Sequence, residues 1–303
     1  DGTADSNVAT VTITVTSPAN TAPVAVDDPY ATKMSVAFTG ATVLGNDTDA
    51  DLDTLTATLV TPPAHASAFT FNADGTFDYE PENGYQGTDT FTYVANDGTA
   101  DSNVATVSVS ITPLAMTFYS TATLDGWIKS LAENSGQGYE PPSTDDLLRL
   151  GDTAINQQYR SFLSFDTSPL PANAIAVNSV VKIRKTDVRG VDPMTTHGSL
   201  VADIRTGFFG VIKQLEASDF NVAATTYKIG AFSLVPGSTV WYQMNMNAKM
   251  SQLINLGGLT QFRLRFMVQD NGNNVEDWIR FASGDNVLSL QPKLTVFYYI
   301  PHP

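Results

Sequence analysis

Residues 1–16 read DGTADSNVATVTITVT, and residues 97–112 read DGTADSNVATVSVSIT. The first eleven positions are identical, and the later changes are Thr/Ser and Ile/Val exchanges. The offset of 96 residues is the length of one small β-domain. Self-similarity at such a spacing is the mark of a repeat array. Residues 1–16 are therefore expected to be the last strand of an Ig-like repeat whose body is not in the chain. A lone strand leaves its N–H and C=O groups unpaired and has no core of its own. Ordering it costs on the order of 16–32 kcal/mol of backbone entropy, which only pairing along a sheet edge can offset. Val8, Val11, Ile13 and Val15 would seek apolar cover in the same step. The expectation is self-association through residues 1–16, with pairing inside the chain as the alternative.

Charge divides the chain. Residues 1–114 hold fifteen acidic side chains against Lys33 alone, whereas residues 115–303 hold sixteen acidic and fifteen basic ones. Two domains with different electrostatics are expected, 17–114 and 115–303. The acidic half would repel phosphates, so nucleic acid is not an expected partner. No run of about 18 apolar residues exists, so no membrane span is expected. With no cysteine there are no disulfides and no thiolate chemistry. In a secreted chain calcium is then the expected stiffener.

Residues 17–23 (SPANTAP) have linker composition. From 24 to 112 short strands and turns recur at even spacing, which predicts a β-sandwich. Val107, Val109 and Ile111 share one face of the last strand by alternation, and Asn72–Gly75 marks a hairpin turn. Residues 115–303 show many short strands, with brief helices expected at Asn247–Asn255 and Gln214–Phe220. A domain of this size built so predicts an all-β chain: an Ig-like β-sandwich followed by a larger jelly-roll-like β-sandwich.

The segments VLGNDTDADLDTL, DGTFDYEPENGYQGTDTFTYVANDGTADSN and TVSVSIT resemble the bacterial Ig-like/cadherin-like repeats of large secreted proteins, the VCBS-related group. That resemblance implies a spacer, stalk or adhesion role. The second half resembles the DNRLRE-type C-terminal domains of secreted bacterial proteins. It does so through Ala122–Trp127, Leu148–Asp152, the Arg160–Pro171 run RSFLSFDTSPLP and the closing Pro292–Val296. Members of that group are β-sandwiches, some of them carbohydrate-binding.

Asp47, Asp49, Asp51 and Asp53 alternate in one loop. Calcium needs six to eight hard oxygens, and such a loop supplies several, although the EF-hand Gly and Glu are absent. Asp125, Asp152 and Asp166 are the acids inside the motifs of the second half, and each is a candidate calcium ligand or a turn cap. Alternation in Val240–Met246 places Trp241, Gln243 and Asn245 opposite an apolar side. A ring beside amides can stack on a pyranose and bond its hydroxyls. Arg263 and Arg265, and Lys182 and Arg184, point away from their own apolar faces. If these strands are neighbours, they form a basic face suited to acidic polysaccharide. No G-x-S-x-G, H-E-x-x-H or P-loop occurs, and no catalytic residue is assigned. The expected protein is a non-catalytic extracellular or cell-surface adhesion protein binding polysaccharide or a cell-surface glycan. Two other classes fit the sequence: a filament subunit assembled by strand exchange, and an accessory module of a secreted polysaccharide-degrading enzyme.

Overall fold

A computed structural model describes every residue except 1, 134, 140–146, 269–270 and 303. The chain is all-β, as the alternation predicts. It divides into two compact units, the first holding most of residues 1–111 and the second most of residues 112–303.

The first unit has seven strands among its described residues: β1 (Asp28–Lys33), β2 (Phe38–Gly40), β3 (Thr56–Thr61), β4 (Ala66–Phe71), β5 (Phe77–Pro81), β6 (Gly87–Asn96) and β7 (Ala105–Thr112). They form two sheets, β1-β7-β6-β3 and β2-β5-β4. Period-2 alternation puts Phe91, Tyr93 and Ala95 of β6, Val107, Val109 and Ile111 of β7, and Phe77 and Tyr79 of β5 in the core, each at most 1% exposed. Phe77 meets Phe91 edge-on at 5.0 Å, a favoured ring geometry. The β4–β5 turn closes as expected, with Gly75 at φ +80° donating its N–H to the Asn72 carbonyl. Buried Asp89 is the polar pin of this unit. It accepts the N–H groups of Ala64, His65 and Thr90 and the Tyr79 hydroxyl.

The repeat does not dictate one structure. Residues 105–112 are a central strand, yet their copy at 9–16 has no strand assignment. Val8, Val11, Ile13 and Val15 are 81–92% exposed.

The second unit continues with β8 (Leu114–Tyr119), β9 (Gly126–Lys129), β10 (Leu147–Asp152), β11 (Gln158–Asp166), β12 (Ile175–Arg189), β13 (Leu200–Thr206), β14 (Thr226–Ala231), β15 (Ser233–Leu234), β16 (Trp241–Met246), β17 (Leu259–Phe266), β18 (Asp277–Ala282) and β19 (Lys293–Tyr299). They form one curled network, β14-β13-β17-β11-β10-β18-β12-β16-β15, extended by β19 on β12, β8 on β19 and β9 on β11. The fifteen-residue β12 joins its two layers. Its first part pairs with β16 and β19, and its last residues pair with β18 after a register shift between Lys185 and Asp187. Val181, Ile183, Met244, Met246, Leu294 and Val296 of one layer share a core with Leu150, Leu163, Phe165, Phe262, Leu264 and Ile279 of the other. This is the jelly-roll-like sandwich. The two expected helices shrink to a 3-10 turn, Ala217–Asn221, and a single α-turn, α2 (Ala248–Ser251); the only other α-helix among the described residues is α1 (Pro193–Thr196).

Candidate functional site

Of the surfaces predicted from sequence, the one around Trp241 forms. Tyr242, Met244 and Met246 are buried, so Trp241, Gln243 and Asn245 point to the other side of β16. β16 pairs with β12 so that Arg184 lies opposite Trp241 and Lys182 opposite Gln243. On its other flank β12 pairs with β19, which sets Lys293 opposite Lys182 and Thr295 opposite Val180. Cross-strand partners share a face. Trp241, Gln243, Asn245, Arg184, Lys182 and Lys293 therefore form one outer face. Lys293 holds its ammonium 5.1 Å from the Trp241 ring, a cation–π contact. None of Lys182, Arg184 or Lys293 has an ion pair among the described residues. Trp241 is half-buried, not sealed beneath a loop. Lys293 was not singled out from sequence, although its alternation with buried Leu294 and Val296 carries the signal.

Arg263 and Arg265 do not belong to this face. Alternation gives their side correctly, but β17 pairs with β11 and β13, far along the network from β12. Their side of the sheet is covered by the segment 207–225. Arg263 is 2% exposed and donates to the Phe220 and Val222 carbonyls, with Phe209 4.8 Å from its guanidinium. Both arginines bind fully buried Asp203, Arg263 at 2.9 Å and Arg265 at 3.1 Å. Burial works against the Asp203 charge, yet Arg265, the Lys228 N–H and Arg263 hold its carboxyl below the usual range. Neighbouring Arg160 donates to the Phe220 carbonyl, and burial followed by repulsion from Arg263 and Arg265 pulls it down to about 9. These arginines fasten the covering segment; they are not displayed.

The candidate metal ligands are dispersed. Asp47 accepts the Val26 N–H and the Tyr93 hydroxyl, and Asp49 accepts the N–H groups of Asp51 and Asp53. Asp51 accepts the Thr21 N–H, and Asp53 has no side-chain bond among the described residues. Asp125 is buried and binds the N–H groups of Ser164 and Gly284, and that burial pushes its carboxyl up to about 7. Asp152 faces Asp277 across β10 and β18, with buried His197 3.2 Å away. Asp166 is exposed at the end of β11 and caps Ser168. Among the described residues no three Asp, Glu or His groups converge at metal-ligand spacing.

One cluster escaped the sequence reading. The Arg149 guanidinium lies 4.8 Å from the Trp127 ring, 5.2 Å from Tyr159 and 4.9 Å from Trp278. Arg280, paired with Asp187, covers Trp278 as well. The residues come from β9, β10, β11 and β18, and no local spacing foretells their meeting.

Residues 20–113 match the family model of the bacterial cadherin-like domain. No curated protein matches the sequence. Solved structures with some likeness include the endo-fucoidan hydrolase MfFcnA9 of glycoside hydrolase family 107, 21% identical over 32% of this chain and 17% of that one, with a TM-score of 0.24. Another is the CBM51-2 and INT domains of Clostridium perfringens ZmpB, in complex with GlcNAc, 9% identical over 86% of this chain and 48% of that one, with a TM-score of 0.19. A third is the C-terminal domain of the Streptococcus agalactiae polypeptide BspA, 9% identical over 81% and 78%, with a TM-score of 0.20. The chain spans 17% and 27% of the two glycoside hydrolase family 107 enzymes it resembles. Scores this low carry no argument about function.

Proposed function

We propose that residues 115–303 are a non-catalytic, DNRLRE-type glycan-binding module, displayed outside a bacterial cell by the cadherin-like unit, and that they bind an anionic polysaccharide across β16, β12 and β19. One observation carries this reading. A chain of net charge −15 presents Lys182, Arg184 and Lys293 together around a half-exposed Trp241, with no carboxylate paired to them among the described residues. The ring supplies an apolar surface for a pyranose, Gln243 and Asn245 supply amides, and the three cations supply charge complementarity. Such a face serves an adhesin and an enzyme's accessory module alike. The test is affinity electrophoresis of the full chain in gels containing alginate, dextran sulfate or soluble starch. Retardation is expected in the anionic gels, weakening with salt and lost in Trp241→Ala and in Lys182→Ala/Lys293→Ala. Equal retardation in starch, or none in any gel, overturns the reading.

Strand exchange is the second reading, favoured by the exposure of Val8, Val11, Ile13 and Val15 in a segment whose near-copy forms buried β7. It places the chain in an extracellular polymer. Structural calcium at Asp47–Asp53 belongs to the same extracellular proposal. It is supported by Asp49 Oδ2, which is buried without a donor.

A further inference from the structure

We infer a second ligand site in the same unit, a cleft built for a neutral sugar residue and separate from the basic sheet face. It lies between the turn Thr121–Leu124, the end of β11 and the segment Phe208–Gln214, with a volume of about 450 Å³. That is the size of a small-ligand pocket. Phe208 and Leu124 give it apolar surface, and Asp166, Lys213, Gln214 and Thr123 give it polar groups. Asp166 carries its negative charge and Lys213 its positive one, but no ion pair joins them. Lys213, Gln214 and Thr123 make no side-chain hydrogen bond among the described residues. The lining is thus neutral in sum, rich in separate donors and acceptors, and bounded by an aromatic ring.

That combination fits a polyol with apolar C–H faces. Asp166 has acceptor capacity left beyond Ser168, enough for a pair of sugar hydroxyls. Lys213 and Gln214 donate to the ring oxygen or to further hydroxyls, while Phe208 covers a C–H face. The lining has no net charge with which to select an ionic ligand.

The walls are fixed from behind. Buried Phe209 packs against Phe162 at 5.5 Å and donates its N–H to Gln261 Oε1 at 2.7 Å. Gly207 and Gly210, at φ +92° and +84°, turn the chain on either side of the Phe208–Phe209 pair. An added Cβ at Gly210 would collide with the Asp219 carboxylate, so this segment is pressed onto the 3-10 turn Ala217–Asn221. The opposite wall hangs on Asp125, whose two backbone bonds and the Ser164 hydroxyl bond to the Leu124 carbonyl hold the turn Thr121–Leu124. Such preorganisation lowers the ordering cost of binding.

The proposal does not depend on the sheet face, and one experiment separates them. Saturation-transfer NMR on the full chain would use cellobiose, maltose, lactose and N,N′-diacetylchitobiose at millimolar concentration. At least one disaccharide is expected to bind, insensitive to salt. Phe208→Ala should weaken it about tenfold or more, and Lys213→Ala and Gln214→Ala several-fold. Lys213 and Gln214 are exposed, so the latter two variants keep the fold, and near-UV circular dichroism checks Phe208→Ala. Lys182→Ala/Lys293→Ala should leave the disaccharide bound while abolishing retardation by anionic polysaccharide. Absence of saturation transfer for every probe overturns the proposal. So does binding that all three cleft variants leave unchanged.

Discussion

Asp203→Asn should unfold the second unit far more easily while leaving the Trp241 face intact. Asp203 is fully buried and takes four N–H groups from two arginines, Arg263 through Nε and Nη2 and Arg265 through the same pair. Among the described residues it is the one carboxylate bonded to either arginine, and Arg160 adds a third cation to the same enclosure. Removing one partner of a buried ion pair costs about 3–5 kcal/mol, because the other charge stays buried and uncompensated. For a unit of this size about 1 kcal/mol moves the midpoint by about 2–4 °C, so a fall of about 6–20 °C is expected. The assay is built into the sequence: Trp127, Trp241 and Trp278 all lie in the second unit, so tryptophan fluorescence follows its unfolding alone. Lys182→Ala is the control. It should change stability by no more than about 0.5 kcal/mol and yet lose polysaccharide binding. If Asp203→Asn costs less than about 1 kcal/mol, the arginine cluster is solvated and the covering segment does not hold it as described.

Asp28, Asp125 and Asp219 are pushed up by burial to about 6, 7 and 6. The folded state therefore holds protons that the unfolded chain releases. This stability is complete below about pH 4 and lost as pH climbs through about 6 to 7, so the urea midpoint should fall between pH 5 and pH 8; a rise would contradict these burials. Asp203, Asp187 and Asp277 are held low, and their contribution fails only on acidification below the ordinary carboxylate range. Chelator should lower the melting point of the cadherin-like unit by removing a ligand of the native state. Asp49→Ala/Asp51→Ala should abolish that response, and an unchanged melting point in chelator means that the loop is held by its hydrogen bonds alone. Deleting residues 1–16 should convert assemblies to monomers in light scattering, and a full chain that is already monomeric at high concentration ends the exchange reading.

What the sequence discloses is which side of a strand a residue takes, because side-chain direction has a period of two and survives every tertiary arrangement. Trp241, Gln243, Asn245, Lys182 and Arg184 were legible on that basis, and their strands proved to be neighbours. The same rule gave Arg263 and Arg265 the correct side and the wrong surroundings, because alternation cannot say what packs on a face. Here segment 207–225 does, through Phe209, Phe220 and Val222, and Asp203 comes from sixty residues away to neutralise the charge. The Arg149 cluster and the Phe208–Asp166 cleft were hidden for the same reason, since each assembles side chains from three or more separated segments. Residues 9–16 and 105–112 set the limit most plainly. Nearly one sequence, it is a buried central strand where β1 and β6 flank it and an exposed segment where they do not. Strand propensity is a fit to neighbours, not a property the segment carries with it. Whatever partner covers Val11, Ile13 and Val15 must then offer what β7 has: a sheet to bond and an apolar layer beneath it.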